Sequence, residues 1–315
     1  MTMFLKRHWW ALLYSLLLVA FTVYLALDTF VISRVYTTVP QQTDSASISE
    51  TQPLASEGSE GTDATAETTA EMVLTENTYS DGNISITLTE YREYDTTIYV
   101  ADVMLSSAEY LQTAFAQNAY GRNVTEKTSE IAQGVGAILA INGDYYGVQE
   151  SGYVLRGGVL YRSTPSSGQE DLVIYADGSF AIICEDDVSA EKLLSDGAVE
   201  VLSFGPALLV DGAVTVSEDT EVGKAKASNS RTAIGILEPL HYVFVVSDGR
   251  TEESAGLSLS QLATFLEGLG VSTAYNLDGG GSSTMYFNGE VVNSPTTNGK
   301  TIKERSVSDI VYIGY

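Results

Sequence analysis

The chain has 315 residues, a formal net charge of −25, two histidines and one cysteine. This acidic balance argues against a surface that binds nucleic acid, and a single cysteine excludes an intrachain disulfide. One histidine is His8 and the other, His241, lies inside an apolar stretch, so neither a histidine-based catalytic triad nor a multi-histidine metal centre is expected.

The N-terminal part of the chain predicts a membrane anchor. Residues 9–32 are almost wholly apolar and follow Lys6 and Arg7, a pattern typical of a transmembrane signal anchor with a cytoplasmic tail at residues 1–8. The alternative is a cleaved signal peptide, and both interpretations place the rest of the chain outside the cytosol. Residues 33–75 are rich in Thr, Ser and Glu, which predicts a disordered linker that holds the folded part away from the membrane.

These features predict a single-pass protein of the cell membrane with its C-terminal domain outside. Export without disulfides is more typical of a bacterial surface than of a eukaryotic secretory route, and we take the source to be a Gram-positive bacterium.

From residue 76 to residue 315 the pattern predicts one β-rich domain. Ile84, Ile86 and Leu88 alternate with polar residues, as in a half-buried strand. Turn-forming pairs between apolar runs predict β-hairpins, and they occur at Asp81-Gly82, Asp177-Gly178, Asp211-Gly212 and Asn288-Gly289. The sheet content is therefore expected to be substantially antiparallel.

Three helices are predicted within this domain. Residues Ala108 to Ala119 and Thr125 to Gln133 have helical character, and Gly134 ends the second segment. The third, Leu259 to Leu269, has apolar residues at helical spacing after a capping box at Ser258.

The most informative stretch runs from Tyr275 to Met285. It places Asn276, Asp278, three successive glycines and two serines between two strand-like runs. Successive glycines are favoured where the backbone takes unusual dihedrals or approaches a ligand closely, and their N–H groups with the hydroxyls would suit an anion. The alternative is a tight turn between two strands.

Other polar residues follow predicted strands in the same manner. The residues concerned are Asn142 and Asp144, Asp248 and Arg250, and Asn276 and Asp278, with Arg231 and Arg305 as additional cations. Carboxylates beside arginines suit acid–base chemistry on a sugar that bears a phosphate. In the alternative interpretation Arg231 forms a structural ion pair and Asp248-Gly249 is another turn. The carboxylates would also suit a hard cation, although their spacing specifies none.

Five ordered motifs resemble the phosphodiester glycosidase domain family, which includes bacterial exopolysaccharide-related surface proteins and the lysosomal uncovering enzyme. The motifs are Asn142-Gly143, Phe204-Gly205-Pro206, Arg231-Thr232-Ala233-Ile234-Gly235, Asp248-Gly249-Arg250 with the later Asn276-to-Ser283 stretch, and Arg305-Ser306-Val307-Ser308. The similarity covers roughly residues 80–315. It implies an α+β fold with a mixed, largely antiparallel sheet, and hydrolysis of a sugar-1-phosphodiester at the anomeric carbon without a cofactor or metal.

The resemblance also implies the site residues. The catalytic set is Asp278, Asp248, Asp144 and Arg231, and the substrate-binding set is Asn142, Arg250, Asn276, Gly279, Gly280, Gly281, Ser282 and Arg305. Glu252 and Glu253 are an alternative source of a catalytic carboxylate. Which aspartate acts as the acid and which as the base or nucleophile stays open.

The first hypothesis is therefore a membrane-anchored extracellular glycosidase, similar to N-acetylglucosamine-1-phosphodiester α-N-acetylglucosaminidase, that acts on phosphate-linked surface glycans. The second is a non-catalytic glycan-binding protein of exopolysaccharide or cell-envelope assembly, and the third is a structural envelope protein. A glycan substrate and the membrane are the expected partners, and nucleic acid is not. The sugar, the aglycone, the stereochemical outcome and the oligomeric state stay open.

Overall fold

A computed structural model of the chain describes residues 2–39, 72–220 and 228–315. In chain order the helices and strands are α1 (Thr2–Phe30), β1 (Arg34–Thr38), β2 (Val73–Leu74), β3 (Thr78–Ser80), β4 (Ile84–Glu93), β5 (Thr96–Leu105), β6 (Leu111–Phe115), β7 (Ala119–Arg122), α2 (Thr128–Gly134), β8 (Leu139–Asn142), β9 (Val154–Arg156), β10 (Val159–Arg162), β11 (Glu170–Tyr175), β12 (Phe180–Cys184), α3 (Ala190–Ser195), β13 (Ala198–Leu202), β14 (Ala207–Val210), β15 (Ala213–Val214), β16 (Arg231–Glu238), β17 (His241–Ser247), α4 (Leu259–Gly268), β18 (Thr273–Asn276), β19 (Met285–Phe287), β20 (Glu290–Val291) and β21 (Asp309–Ile313). Short 3-10 turns lie at Ala108–Tyr110, Ala116–Asn118, Tyr146–Val148 and Gly280–Ser282.

The strands form one large sheet and three smaller ones. The nine-stranded sheet has the order β15-β14-β18-β16-β17-β5-β4-β3-β2, and two five-stranded sheets have the orders β10-β9-β13-β11-β12 and β20-β19-β8-β21-β6. Strands β1 and β7 form a separate pair. Within the described ranges every named strand pair is antiparallel. The predicted α+β class with a largely antiparallel sheet is confirmed.

The main core lies between the nine-stranded sheet and the two five-stranded sheets. Ile86 of β4 and Phe244 of β17 share this core with Ile141 of β8 and Leu172 of β11, and all four are fully buried. On its other face the nine-stranded sheet packs against α4, whose Leu262 and Leu266 are buried. Burial of such side chains is the dominant favourable contribution to folding.

The local turn signals of the sequence are confirmed. The four predicted hairpin turns join β3 to β4, β11 to β12, β14 to β15 and β19 to β20. Helix α4 begins after the Ser258 capping box, in which the Ser258 hydroxyl accepts from the Gln261 N–H and the Gln261 side chain accepts from the Ser258 N–H. Helix α2 occupies most of the second predicted segment and ends at Gly134.

The helix predicted for Ala108 to Ala119 is wrong. This segment consists of two 3-10 turns on either side of β6, because Leu111–Phe115 pairs along its whole length with β21. Gln117 also takes a left-handed backbone conformation, with φ of +54°, which a continuous helix does not accommodate.

The N-terminal helix is long and apolar enough to cross a membrane, over Trp9–Thr29 with a mean hydropathy of 2.1, and none of this segment is buried against the rest of the protein. It is a candidate signal anchor or membrane span. The Asn123 side chain donates to the carbonyl oxygens of Thr29 and Ile32 at 3.1 and 3.2 Å, next to the end of the helix.

The sequence predicts a disordered linker directly after this helix, but residues at both ends of that segment form strands. Residues 34–38 form β1, which pairs with β7, and Val73–Leu74 pairs with β3 at the other end. A side chain at Gly121 would overlap the Arg34 carbonyl, so glycine permits this close pairing. The remainder of the predicted linker, residues 40–71, lies outside the described residues.

Candidate active site

The site lies where strand ends of two sheets meet. In the nine-stranded sheet, Arg231 at the start of β16 is opposite Ser247 at the end of β17, and Asn276 at the end of β18 is opposite Ala233. The second sheet contributes the end of β8, where the Asn142 Oδ1 accepts from the Thr232 hydroxyl at 2.9 Å. Polar residues that follow separate strands thereby lie in one region.

The glycine loop, residues Gly279 to Ser283, follows β18 directly. Gly280 has a φ of +64°, and a Cβ there would lie 2.6 Å from the Arg250 Nη2. A Cβ at Gly279 would lie 2.9 Å from the Ser230 carbonyl oxygen, and one at Gly281 would overlap the Thr297 hydroxyl. Glycine is therefore required here for a left-handed conformation and for close contacts on both sides of the loop.

Asp278 presents its carboxylate at the rim of this loop. The side chain is only 13% exposed, and its Oδ2 accepts from the Ser282 hydroxyl at 2.6 Å and from the Arg305 Nη2 at 3.0 Å. Burial raises the pKa of Asp278, while Arg305 and Ser282 act in the opposite direction. The aspartate, the serine and the arginine therefore form one connected polar group.

Arg250 is a second cation beside this group. Its Nε donates to the Asn229 Oδ1 and its Nη1 to the Thr297 carbonyl oxygen, both at 2.7 Å. Burial lowers the pKa of Arg250 and the like charge of Arg305 lowers it further, whereas Asp278 raises it. Arg250 also has a φ of +66°, a conformation that non-glycine residues rarely adopt and that is enriched at functional sites.

Asp248 is the second buried carboxylate of the region. It is 7% exposed and accepts from the Ser294 N–H at 2.8 Å, from the Asn293 side chain at 3.3 Å and from the Tyr99 hydroxyl at 3.5 Å. Burial raises the pKa of Asp248, and these three donors oppose the increase. The Asn293 Nδ2 also donates to the Ser283 carbonyl oxygen at 3.0 Å, so one amide links Asp248 to the glycine loop.

Arg231 lies beneath the loop. It is 4% exposed, its Nε donates to the Leu257 carbonyl oxygen at 2.9 Å, and its Cα and Cδ lie 4.0 Å from a Cβ placed at Gly279. The bond to Leu257 ties Arg231 to the segment before α4.

The two predicted asparagines bond to protein backbone. The Asn142 Nδ2 donates to the Asp278 carbonyl oxygen at 2.6 Å, and the Asn276 Nδ2 donates to the Gly205 carbonyl oxygen at 2.7 Å. Both residues are buried. Asn142 therefore positions Asp278, although the resemblance implied that both amides bind substrate. The Asn276 Oδ1 is buried and has no hydrogen-bond partner within the described residues.

The Asp144 side chain belongs to a different network from those of Asp248 and Asp278, although the Asp278 N–H donates to the carbonyl oxygen of the neighbouring Gly143 at 3.3 Å. Its carboxylate pairs with the Arg156 Nη2 at 2.9 Å and accepts from the N–H groups of Tyr146 and Ser203, both at 2.9 Å. Arg156 also pairs with Asp309 at 2.7 Å. Although burial opposes the charge, both carboxylates raise the pKa of Arg156, so Asp144 belongs to a buried structural ion pair. Glu252 and Glu253 are exposed and lie outside this network as well.

Several residues of the site carry no sequence motif that marks them. Asn293 and Ser294 bond to Asp248, while Asn229 and Thr297 bond to Arg250. Single asparagines, serines and threonines are common in turns, so only the folded contacts distinguish them.

For metal binding, the structure of residues 2–39, 72–220 and 228–315 contains no cluster of three or more His, Cys, Asp or Glu side chains that would hold an ion.

A groove of about 500 Å³ begins at Arg305. Its lining includes Lys127, Lys303, Glu304 and Thr297, so cationic groups outnumber the single carboxylate. The groove is large enough for part of a ligand that extends away from Asp278.

Comparison with known proteins places this geometry in context. The profile of the family described as phosphodiester glycosidase matches residues 135–314, more than half of the chain. The SPbeta prophage-derived uncharacterized protein YomE of Bacillus subtilis (strain 168) is 28% identical over 203 residues, which cover 62% of this chain and 31% of YomE. Bovine N-acetylglucosamine-1-phosphodiester alpha-N-acetylglucosaminidase is 28% identical over 181 residues, 53% of this chain and 34% of the enzyme. The chain thus spans about a third of the length of these curated relatives.

A solved structure has the same fold. The catalytic domain of the zebrafish N-acetylglucosamine-1-phosphodiester alpha-N-acetylglucosaminidase, auto-inhibited by its pro-peptide, aligns with a TM-score of 0.58 at 22% identity. The alignment covers 74% of this chain and 83% of the zebrafish chain.

Proposed function

Because the chain belongs to the phosphodiester glycosidase family, we propose that it hydrolyses a sugar-1-phosphodiester at the anomeric carbon. The named relatives that act on N-acetylglucosamine-1-phosphodiesters support this class of substrate. Asp278, Asp248, Arg250 and Arg305 are the residues that we assign to the chemistry.

The observation that best supports the proposal is the pair of arginines at the glycine loop. Two arginines, Arg250 and Arg305, lie beside the Asp278 carboxylate in a chain of net charge −25, and the second carboxylate, Asp248, is linked to the loop through Asn293. A phosphodiester carries one negative charge, and arginine binds phosphoryl oxygens through two parallel hydrogen bonds. The local charge therefore suits a phosphodiester although the whole protein is acidic.

The contacts suggest a role for each group. Arg250 and Arg305 bind the phosphoryl oxygens and stabilise the phosphate monoester as the bond between C1 and its oxygen breaks. Asp278, which is ion-paired with Arg305, stabilises the positive charge that develops at C1. Within the described residues, Asp248 accepts hydrogen bonds from neutral donors alone, and its pKa is raised. We therefore propose that Asp248 accepts a proton from the water that adds to C1.

Other features support the proposed location of the protein and the proposed physiological substrate. Helix α1 supports a membrane-anchored protein with the domain outside the cytosol, since Lys6 and Arg7 precede the span. Lys127 and Lys303 in the groove beside Arg305 favour an aglycone with further negative charge. Phosphate-linked glycans at a bacterial cell surface combine both properties, and we propose them as the physiological substrate.

The experiment that tests the proposal measures the release of sugar from an N-acetylglucosamine-1-phosphodiester by the full chain in detergent. We expect Asp278→Asn and Asp248→Asn each to lower kcat by about 10²- to 10⁴-fold with unchanged folding, since each removes one carboxylate from the reacting region. Asp211→Asn, at an exposed turn, is the matched control and should have full activity.

Unchanged turnover in either site variant would contradict the assigned roles. If the wild-type protein releases no sugar from a panel of sugar-1-phosphodiesters yet binds them, the glycan-binding alternative replaces the enzyme.

A further inference from the structure

The end of the N-terminal helix is bonded directly to the β-rich domain. The Asn123 Nδ2 donates to the carbonyl oxygens of Thr29 and Ile32 at 3.1 and 3.2 Å, and the Ser33 hydroxyl donates to the Asn123 carbonyl oxygen at 2.8 Å. These contacts bridge the point at which the chain leaves the candidate span, Trp9–Thr29. The helix and the domain are therefore held in one relative orientation.

Strand β1 extends this attachment. It pairs with β7 over residues 34–38, and Arg34 at its start forms an ion pair with Asp28 of α1. Only residues 31–33 separate α1 from β1, and Ile32 and Ser33 are bonded to Asn123. The domain is therefore fixed at the end of the span, whereas the sequence predicts a linker that holds it away from the membrane.

The level of the membrane surface follows from the groups at this junction. Val31 and Ile32 are apolar and exposed, so both suit a hydrocarbon environment. Strand β1 pairs with β7 on one edge and with no strand on its other edge within the described residues. Unpaired backbone groups are not tolerated in hydrocarbon, so the boundary of the hydrocarbon falls between Ile32 and the start of β1.

Two exposed side chains of β1 then lie at the level of the lipid headgroups. Val35 and Tyr36 are both exposed, Tyr36 by 59%, and the Tyr36 ring contacts that of Tyr120 in β7 with centroids 5.8 Å apart. Tyrosine and tryptophan are enriched at membrane interfaces because they combine an apolar ring with a polar group. Trp9 and Trp10 lie at the other end of the candidate span, so aromatic residues flank it on both sides.

The candidate active site lies near this junction. Lys127 of the groove follows Asn123 by four residues, and at about 3.8 Å per residue their separation is at most about 15 Å. Glu126 forms an antiparallel bridge with Val307, two residues from Arg305. Arg305 is therefore within roughly 25 Å of Asn123, close enough to meet groups attached to the same membrane.

We propose that the face formed by β1, β7 and Asn123 docks on the outer surface of the membrane, and that this orientation directs the glycine-loop site to phosphodiesters whose aglycone is anchored in that membrane. The net charge of −25 repels a phosphodiester that approaches through solution, whereas an anchored substrate is already held near the site. The docking rests on the proposed location of the protein, and the choice of substrate rests on the proposed function.

Fluorescence quenching of the full chain in lipid nanodiscs tests the docking. A background of Trp9→Phe and Trp10→Phe removes both tryptophans of the chain, and Tyr36→Trp then places a single tryptophan on β1. We expect phosphatidylcholine that is brominated close to the headgroup to quench this tryptophan, because its ring lies at the interface.

Met104→Trp in the same background is the matched control. Met104 is 56% exposed and pairs with His241, at the end of β5 that is remote from Ser247 and the site, so its tryptophan should keep its fluorescence. Equal quenching in the two variants, or quenching in neither, would overturn the docking. Val35→Trp provides a second exposed position on β1 if Tyr36→Trp does not fold.

A spacer variant tests the consequence for the substrate. Insertion of about twenty Gly and Ser residues between Ile32 and Ser33 leaves β1 paired with β7 but adds a flexible segment with an r.m.s. length of about 25 Å. Two N-acetylglucosamine-1-phosphodiesters are compared, one esterified to a dialkylglycerol in the same nanodisc and one a soluble methyl ester. We expect the spacer to lower turnover of the anchored substrate by about fivefold or more, because the substrate is no longer held near the site, and to leave turnover of the soluble one unchanged.

The outcomes separate this inference from the function on which it rests. Equal turnover of the anchored substrate by the wild-type protein and the spacer variant would overturn the choice of substrate, as would a wild-type protein that hydrolyses only the soluble ester. If the wild-type protein hydrolyses neither ester, the proposed function and the choice of substrate fail together. The quenching experiment decides the docking in every case.

Discussion

At the scale of single residues, Asp171 shows how burial acts on a carboxyl group away from the site. It is fully buried, and burial together with the negative charge of Glu185 raises the pKa of Asp171 to about 9. Glu185 accepts from the Tyr153 N–H at 2.8 Å and from the Ser203 hydroxyl at 3.2 Å. With this raised pKa, Asp171 keeps its proton at neutral pH.

This raised pKa predicts that Asp171 makes the fold less stable as pH increases. The unfolded chain loses the proton near pH 4 and the native protein near pH 9, so between these values the native state binds more protons. The contribution of Asp171 to the free energy of unfolding then falls by up to about 1.4 kcal/mol per pH unit. In Asp171→Asn this dependence should be absent, so the variant gains stability over wild type as pH rises.

Urea denaturation at several pH values between 5 and 9 measures the effect, with Glu290→Gln at an exposed position as the control for loss of a carboxyl group. A constant difference between Asp171→Asn and wild type across this range would show that Asp171 is ionised in the native protein.

Sequence reasoning singled out charged residues that the structure places at the glycine loop, and it missed the residues that hydrogen-bond to them. Asp278 and Arg250 could be predicted because they follow strand ends and match family motifs, and Arg305 because it matches a family motif. Asn293 and Asn229 could not, because their roles depend on contacts with Asp248 and Arg250 that only the fold creates. Asp144 was expected in the site because it follows β8, but the buried Arg156, which no motif marks, pairs with it.

At the scale of elements, structure that depends on neighbouring residues could be predicted from the sequence more readily than pairing between distant strands. The hairpin turns and the capped helix α4 are encoded within a few residues, and they could be predicted from the sequence. The sequence predicts a helix at β6 because the partner strand β21 lies almost two hundred residues further along the chain. Pairing at that distance overrides local preference.

The glycine loop gives a prediction at this scale. Gly280→Ala should lower kcat/KM strongly, because the added methyl group would displace the Arg250 guanidinium. Gly136 has nearly the same left-handed φ, +66°, but no atom within 4 Å of an added Cβ. Gly136→Ala is therefore the matched control, and both variants should lose about 1–2 kcal/mol of stability from the backbone conformation.

Steady-state kinetics on an N-acetylglucosamine-1-phosphodiester, with thermal unfolding of the same samples, separates the two effects. Equal activity in the two alanine variants would mean that the position of Arg250 does not affect turnover.

At the scale of the whole molecule, the net charge of −25 opposes the local charge of the site. A phosphodiester that approaches from solution is repelled at long range and attracted only close to Arg250 and Arg305. Salt screens long-range interactions more than those between partly buried groups. The acidic surface should therefore slow association at low ionic strength.

We expect kcat/KM for a phosphodiester substrate to rise when salt increases from about 10 mM to about 150 mM, a range over which the screening length falls from roughly 30 Å to 8 Å. Initial-rate measurements across this series test the effect. In Arg305→Gln, kcat/KM should rise more steeply with salt. Salt weakens the long-range repulsion in both proteins, but this variant has less local attraction to lose. A fall in kcat/KM with salt in the wild-type protein would mean that the arginines govern association at all distances.

The pairing of β1 with β7 changes what proteolysis between residues 40 and 71 would accomplish. Such a cut would break the only covalent connection between α1 and the domain, yet β1 would remain on the N-terminal fragment and stay bound to β7 beside Gly121. Separation of the domain from α1 would then require two events, a nick in the chain and the dissociation of a five-residue strand. A nicked protein would remain a non-covalent complex, visible as two fragments only after denaturation.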